Sequence, residues 1–273
     1  MRINNNIMAM NTHRQLGITN NAGAKSMEKL SSGFRINKAA DDAAGLSISE
    51  KMRSQIRGLN QASRNSQDGI SLIQTAEGNL NEVSAMLVRV RELATQAANG
   101  TYDAGTDLTR VQEEVTELTK QIGDIKDNSS FNGIKLANGS ATTITLQIGA
   151  ASGQTLALTG SKFDLTAVHT AVSGYSLSTQ TGAQAALAGI ETQINNVSAA
   201  RSYLGANQNR LEHTIKNLDT YAENLQASES RIRDVDMAKE MMESTKNNIL
   251  QQAATAMLAQ ANQAPQGVLQ LLR

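Results

Sequence analysis

Apolar side chains recur at alternating spacings of three and four through Ile73, Ala76, Leu80, Val83, Leu87, Val90, Ala94 and Ala97. That spacing is the seam of a helix packed along another helix. Met86 and Leu93 widen the stripe, which predicts contact with more than one helix. Asn99-Gly100 should end the helix, since either residue tolerates a left-handed C′ position. A second seam runs through Ile190, Ile194, Val197, Leu204, Leu211, Ile215, Leu218, Ala222 and Leu225, weakened where Arg201 and Gln208 occupy it. Between them, Thr106-Asp107 caps a shorter helix using Leu108, Val111, Val115, Leu118, Ile122 and Ile125.

The period changes to two at the centre of the chain. Ile144, Leu146 and Ile148 point one way and Thr143, Thr145 and Gln147 the other, with Leu156 and Leu158 resuming the alternation after a glycine-containing turn. This predicts a small β-hairpin over 142–159. Asn132-Gly133 and Asn138-Gly139 are turn dipeptides. The stretch from Ser161 to Thr181 is polar, irregular and rich in Ser, Thr and Gly, and reads as loop.

Both termini carry weaker patterns. Ile3, Ile7, Met10, Met27, Leu30 and Phe34 are spaced roughly as in a helix, but Gly17, Gly23 and Gly33 dilute it. Each internal Gly costs a helix about 1 kcal/mol relative to Ala, so this segment needs a partner surface. Asp41-Asp42-Ala43-Ala44-Gly45 reads as a joint, and Ser47-Ile48-Ser49-Glu50 has the form of a capping box. Asp234 is placed to cap a last helix running towards Ala261, with Met237, Met241, Ile249, Ala253, Ala256 and Met257 along it. The final residues, 263–273, are short and apolar.

The layout is roughly mirrored, and the fold class it predicts is mainly α. An elongated antiparallel helical bundle or coiled-coil rod would carry a small β-hairpin, with the termini paired as helices. A helix of about 40 residues spans ~60 Å. The expected domains are residues 1–45 with 230–273, holding the paired terminal helices, and residues 46–229, holding the long helices and the hairpin.

Composition narrows this further. Aromatics are 3% of 273 residues and hydrophobics 40%, with no Trp and one Pro. Small aliphatic side chains fill thin helix–helix seams, whereas thick cores lean on rings. The 25 basic and 25 acidic side chains cancel, leaving no basic field to hold nucleic acid. No apolar run approaches the ~20 residues of a membrane span, and the first residues lack the apolar region of a secretory signal. Cysteine is absent, which removes disulfides and thiolate metal sites.

Candidate chemistry is sparse. His13, His169 and His213 are scattered, with no H-E-x-x-H. There is no G-x-S-x-G, P-loop or G-x-G-x-x-G pattern, and the Asp41-Asp42 pair suits a helix joint better than acid–base work. The expectation is no enzyme, no metal and no cofactor, and a thin rod would offer no cavity of several hundred Å³.

Longer motifs then point to a family. Leu30-Ser31-Ser32-Gly33-Phe34-Arg35-Ile36-Asn37, followed by Asp41 to Ser49, resembles the N-terminal signature of bacterial flagellins. Ser66 to Gly78, Arg89-Val90-Arg91-Glu92-Leu93-Ala94 and Phe131-Asn132-Gly133 continue it. Ala261-Asn262-Gln263 and Val268-Leu269-Gln270-Leu271-Leu272-Arg273 are similar to the family's last residues. The match covers roughly residues 1–140 and 185–273, a short form holding only the two core domains, in which the resemblance implies that the stretch from Ser161 to Thr181 is a remnant at the surface.

The resemblance implies a structural subunit that polymerises into the flagellar filament for swimming. It would be exported unfolded through the flagellar type III apparatus and assembled at the tip. Its terminal segments would be disordered in the monomer, fold on assembly and line the channel. Ile3, Ile7, Met10, Leu30, Ile249, Met257, Leu269 and Leu272 are the polymerisation residues it implies. Partners implied are further copies of the chain, an export chaperone around Ile249 to Leu272, and the filament cap and hook-junction proteins. Recognition by Toll-like receptor 5 would fall on Arg89, Leu93 and Glu114, which otherwise serve the subunit–subunit surface; Val88 departs from the Gln of many recognised members. A hook–filament junction protein, sharing the terminal helices, is the rival reading. The Leu-Gln-Leu-Leu-Arg ending and the Arg-Val-Arg-Glu-Leu-Ala motif favour flagellin.

Overall fold

The computed structural model describes residues 6–103, 105–140 and 143–271, with the side chains of 264–271 outside that description. Ile3 and Leu272, and the side chain of Leu269, therefore lie outside the described residues. Six helices are described: α1 (Ile7–Ser32), α2 (Ala43–Ala97), α3 (Asp107–Asn128), α4 (Thr166–Ser173), α5 (Gln180–Arg233) and α6 (Met237–Leu271). The strands are β1 (Ser130–Phe131), β2 (Ile134–Lys135), β3 (Thr143–Gln147) and β4 (Thr155–Thr159), and a 3-10 turn covers Gly160–Lys162. The chain forms two compact units, Met1–Ile56 with Glu223–Arg273, and Arg57–Ala222. Sequence patterning put the boundaries at 45/46 and 229/230, at or near helix ends. The compact units instead divide inside α2 and α5, where no break in the helical pattern marks the place.

The unit Arg57–Ala222 holds a continuous apolar core. Ile73, Ala76, Leu80, Val83, Leu87, Val90, Ala94 and Ala97 of α2 are all buried, as are Val111, Val115 and Ile122 of α3 and Ile190, Val197, Leu204 and Leu211 of α5. Leu93 joins them at 2% exposure, so the widened stripe does meet several elements. α2 ends where Asn99-Gly100 was expected to end it, but without a left-handed residue there. Asn99 instead closes a tighter turn, its N–H donating to the Gln96 carbonyl at 3.1 Å.

β3 and β4 pair antiparallel, with Ile144 opposite Leu158 and Leu146 opposite Leu156. Leu156 and Leu158 are buried, so one face of the hairpin belongs to the core, as a period of two requires. Two glycines of α2 let it approach. A Cβ on Gly69 would come within 2.5 Å of Leu146 Cδ1, and one on Gly58 within 2.9 Å of the Ala150 Cβ. Asn65 Nδ2 adds a bond to the Gln147 carbonyl at 3.1 Å. Asn132-Gly133 makes a second, shorter hairpin joining β1 to β2. Both residues take positive φ, 48° and 80°, which the two-residue turn with the twist of β-strands demands.

The segment 161–181 corrects the sequence reading. It is core rather than surface loop: Phe163, Leu165, Val168, Val172 and Leu177 are buried, Phe163 among the largest fully buried side chains. Its apolar positions fall in a helix of only eight residues and its flanks, too short for periodicity to stand out among the Ser, Thr and Gly around them. Another correction concerns space. A half-open cleft of about 420 Å³, floored by Leu80, Phe163 and Val197, lies in this unit, where a thin helical packing was expected to leave none. Two of the polar groups that line it are occupied. Asp164 accepts from the N–H and Oγ1 of Thr166, and the Tyr203 hydroxyl accepts from the Thr159 N–H.

Candidate interaction surface

In the unit formed by Met1–Ile56 and Glu223–Arg273, α1 packs along α6. The side chains between them are not the apolar positions of the sequence pattern. On α1 the buried residues are Thr19 and Ser26, and on α6 they are Ser244, Asn247 and Ala261. Thr12, Leu16, Ala22 and Leu30 of α1, with Ala254 and Leu258 of α6, are half-buried beside them. The threonine hydroxyls are satisfied locally. Thr19 Oγ1 donates to the carbonyls of Gln15 and Leu16 at 3.1 and 3.0 Å, and Thr12 bonds back in the same way. Across the seam, Asn247 Nδ2 donates to Ser26 Oγ at 3.5 Å and Asn6 Nδ2 to the Ala261 carbonyl at 2.7 Å. Lys29 and Glu240 meet at 4.0 Å.

The large apolar side chains stand outside. Ile7 is 64% exposed, Met10 68%, Ile249 61% and Met257 54%. Met8, Ile18, Met27, Met237, Met241, Met242 and Leu250 are exposed as well. They do not form one stripe: Met8 and Met10, two positions apart, leave a helix on nearly opposite sides. A helix pair apolar on its outer faces is built to be covered. Of the expected polymerisation residues that are described, Ile7, Met10, Ile249 and Met257 are free on this surface, while Leu30 is half-buried. The residues that hold the pair together were missed by a search for apolar spacing. Their signal was a heptad of small and polar residues, Thr12, Thr19 and Ser26, facing Asn247, Ala254 and Ala261.

A joint ties the chain together at the ends of these helices. Gly33, at φ 74°, closes α1 in the left-handed conformation, a cost that only Gly avoids. Arg35 N–H then donates to the Arg233 carbonyl at 2.6 Å and Val235 N–H to the Gly33 carbonyl at 3.0 Å. Arg233 lies over the Phe34 ring, 4.9 Å from its centre, and pairs with Glu50 at 2.8 Å. Asp41 accepts from the N–H groups of Asn37 and Lys38 at 3.1 and 2.9 Å, and those bonds hold its carboxyl below the usual range. Lys38 is raised by its bond to Glu28. The caps differ from those read in the sequence. α2 begins at Ala43 with Asp42 accepting from the Gly45 N–H at 2.8 Å, so Ser47 is already inside the helix. α6 is capped by Asp236, which accepts from the Lys239 N–H at 3.2 Å, while Asp234 takes a bond from Ser230. In each case the acid nearest the first helical turn won, as dipole and geometry favour.

Arg89 and Glu114 meet on the surface of the other unit, Nε to Oε1 at 2.8 Å, with Glu92 at 3.1 Å on the same guanidinium. These carboxylates raise the Arg89 pKa. Leu93 is not on that surface; it is buried in the apolar core and offers a partner nothing in this conformation. Among the described residues no group of three or more His, Asp or Glu is placed to hold a metal ion, and no helix is long and apolar enough to cross a membrane.

Known proteins share these sequence regions. Residues 3–142 match the bacterial flagellin N-terminal helical region and residues 187–272 the bacterial flagellin C-terminal helical region. A flagellin of Halalkalibacterium halodurans is 61% identical over 273 residues, and one of Bacillus subtilis 53% identical over 304, each alignment spanning all of both chains. A crystal structure of Bacillus cereus flagellin superposes with a TM-score of 0.51 at 32% identity, over 61% of this chain and 94% of that one. Two family regions in order and full-length identity above half leave one assignment: this chain belongs to the bacterial flagellins.

Proposed function

We infer that this chain is a structural subunit of the flagellar filament, polymerising through its terminal helices. The observation that carries the reading is the inverted arrangement of α1 and α6, where the fully buried residues between the helices are polar or small, Leu16, Leu30 and Leu258 are only half-buried, and most of the large apolar side chains stand outside. Little apolar area is buried within the pair, so its intrinsic stability is low, while the outer surface gains only when other subunits cover it. Folding of such a pair is coupled to assembly. The unit containing α1 and α6 would then form the inner, channel-lining part of the filament, and Arg57–Ala222 the outer part. The protein acts outside the cell, exported through the flagellar type III apparatus. Ile249, Leu250 and Met257 offer an export chaperone an apolar helical face before assembly, and the cap and hook-junction proteins bound the polymer at its ends. The subunit's work is mechanical, without catalysis.

Sonicated filament fragments added to purified chain test this directly by negative-stain electron microscopy. The full chain should extend the seeds into long uniform tubes, and a chain lacking residues 237–273 should not. Dispersed full-length protein whose α1 and α6 already resist proteolysis would sink the reading. A receptor surface is proposed for Toll-like receptor 5 on the Arg89–Glu114 pair, with Leu93 supporting the backbone beneath it. Undiminished receptor signalling by Arg89→Asp would remove it.

A further inference from the structure

Seven of the ten methionines in this chain, Met8, Met10, Met27, Met237, Met241, Met242 and Met257, lie on α1 and α6 with exposures between 49% and 70%. Met52 and Met86, elsewhere in the chain, are half-buried. Aliphatic side chains would serve equally well as apolar contacts. The thioether adds two properties: it adapts to irregular surfaces, and it accepts an oxygen atom. The chain contains no cysteine, so no thiol competes for a mild two-electron oxidant. All seven side chains are exposed in the free chain. The one contact recorded for them is a long one, from Ser244 Oγ to Met27 Sδ at 3.8 Å.

We propose that these seven thioethers are sites of reversible sulfoxidation by hydrogen peroxide, and that their oxidation state decides whether a free subunit can join a polymer. The inference rests on the filament reading above. In the reaction a sulfur lone pair attacks one peroxide oxygen, the O–O bond breaks and an S–O bond forms. The departing hydroxide takes up the second peroxide proton and leaves as water. Sulfur loses two electrons and the peroxide gains them. The product is polar and chiral, and it sits where assembly requires an apolar surface. A subunit already in the polymer has the same sulfurs covered by its neighbours, so oxidation discriminates between free and assembled chains. α1 and α6 both carry the sites, so neither half of the pair escapes.

The experiment uses the full chain. Free subunits and seeded filaments are exposed to the same hydrogen peroxide, their methionines are mapped by peptide mass spectrometry, and the free subunits are then offered to fresh seeds. The seven sites should oxidise faster than Met52 and Met86 in the free chain, and at least ten-fold more slowly in filaments. The oxidised chain should extend seeds at least ten-fold more slowly. Treatment with the two epimer-specific methionine sulfoxide reductases and a dithiol should restore the rate. A variant with all seven replaced by Leu, if it assembles, should extend seeds at a rate indifferent to peroxide. Equal elongation by oxidised and untreated chain would overturn the inference and leave the filament reading standing. So would a loss that the reductases do not reverse. Failure of the untreated chain to elongate at all would overturn the filament reading, and this inference with it.

Discussion

The two units solve opposite problems with the same element. In Arg57–Ala222 most heptad positions of α2 and α5 are Leu, Ile, Val or Ala, and the α2 seam from Ile73 to Ala97 is buried together with Ile190, Val197, Leu204 and Leu211 of α5. In the unit of α1 and α6 the equivalent inward positions are Thr19, Ser26, Ser244 and Asn247, while Ile7, Met10, Ile249 and Met257 face outward. Heptad spacing specifies that two helices pair; the side chains at those positions specify how strongly. One unit uses its apolar area on itself. The other leaves most of it exposed and relies within the chain on a few cross-seam bonds and the joint at Gly33–Arg35.

That contrast predicts very different responses to truncation. Leu204 is fully buried in the core of Arg57–Ala222, and Leu204→Ala should cost about 2–5 kcal/mol, read as a lowered urea midpoint of the main unfolding transition. Met241 is 54% exposed, and Met241→Ala should move that midpoint by about 0.5 kcal/mol at most, yet slow the extension of seeds. Equal losses of monomer stability in the two variants would break the comparison, since the outer surface of α6 would then be serving an intramolecular core.

A smaller effect is expected where the hairpin meets α2. A Cβ at Gly69 would lie 2.5 Å from Leu146 Cδ1 and 3.3 Å from Leu211 Cδ1. Gly69→Ala should therefore displace β3 from the helix and cost about 1–3 kcal/mol, with increased hydrogen exchange confined to 143–159. Gly78 has open space around its Cβ position, and Gly78→Ala should be neutral or stabilising. The pair separates close packing from helix propensity within one helix.

Much of this architecture was legible in the sequence because the unit Arg57–Ala222 follows the ordinary rule that periodic apolar residues are buried. The seams of α2, α3 and α5 and the alternation in β3 and β4 fell where the pattern placed them. The rule failed on α1 and α6, whose large apolar residues are mostly exposed. Ile7, Met10, Met241 and Ile249 are spaced like a buried face, but the helix pair turns them outward, and spacing alone does not say on which side of a pair an apolar residue will stand. Phe163 and Leu177 were overlooked for a different reason: they lie in short elements where neither period has room to repeat. The caps were misread by two to five residues because several acids and hydroxyls compete at each helix start, and only tertiary position decides which carboxylate reaches the free N–H groups.

Strengthening the weak pair should sharpen the comparison. Gly23 lies inside α1, and a Cβ there would meet only the Asn247 Cβ, at 3.9 Å, an ordinary contact. Gly23→Ala should stabilise α1 by about 1 kcal/mol without disturbing the seam. Circular dichroism of the free subunit should show more helix, and the critical concentration for assembly should fall because less ordering is left for the polymer to supply. Unchanged helicity would mean that α1 is already fully formed in the free chain and that its folding is not linked to assembly.

The smallest effect expected is on pH dependence, and it belongs to the joint. The Asn37 and Lys38 N–H groups donate to the Asp41 carboxylate and lower its pKa in the folded chain. A depressed carboxyl stabilises the fold fully above its unfolded value of about 3.9, and the contribution is lost as pH falls through the lower folded value. Acid below about pH 4 should therefore loosen the loop between α1 and α2, while the buried core of Arg57–Ala222 has no share in this term. The readout is the difference in urea midpoint between the natural chain and Asp41→Asn, followed from pH 6 to pH 2. Other carboxylates titrate in both chains and cancel in the difference. The gap should be constant at the upper end and shrink at the acid end, because an amide oxygen keeps part of the hydrogen bonding but none of the titration. Parallel curves throughout would mean that Asp41 carries the same proton affinity folded and unfolded, and that Gly33 and the Arg35–Arg233 bond hold the joint without it.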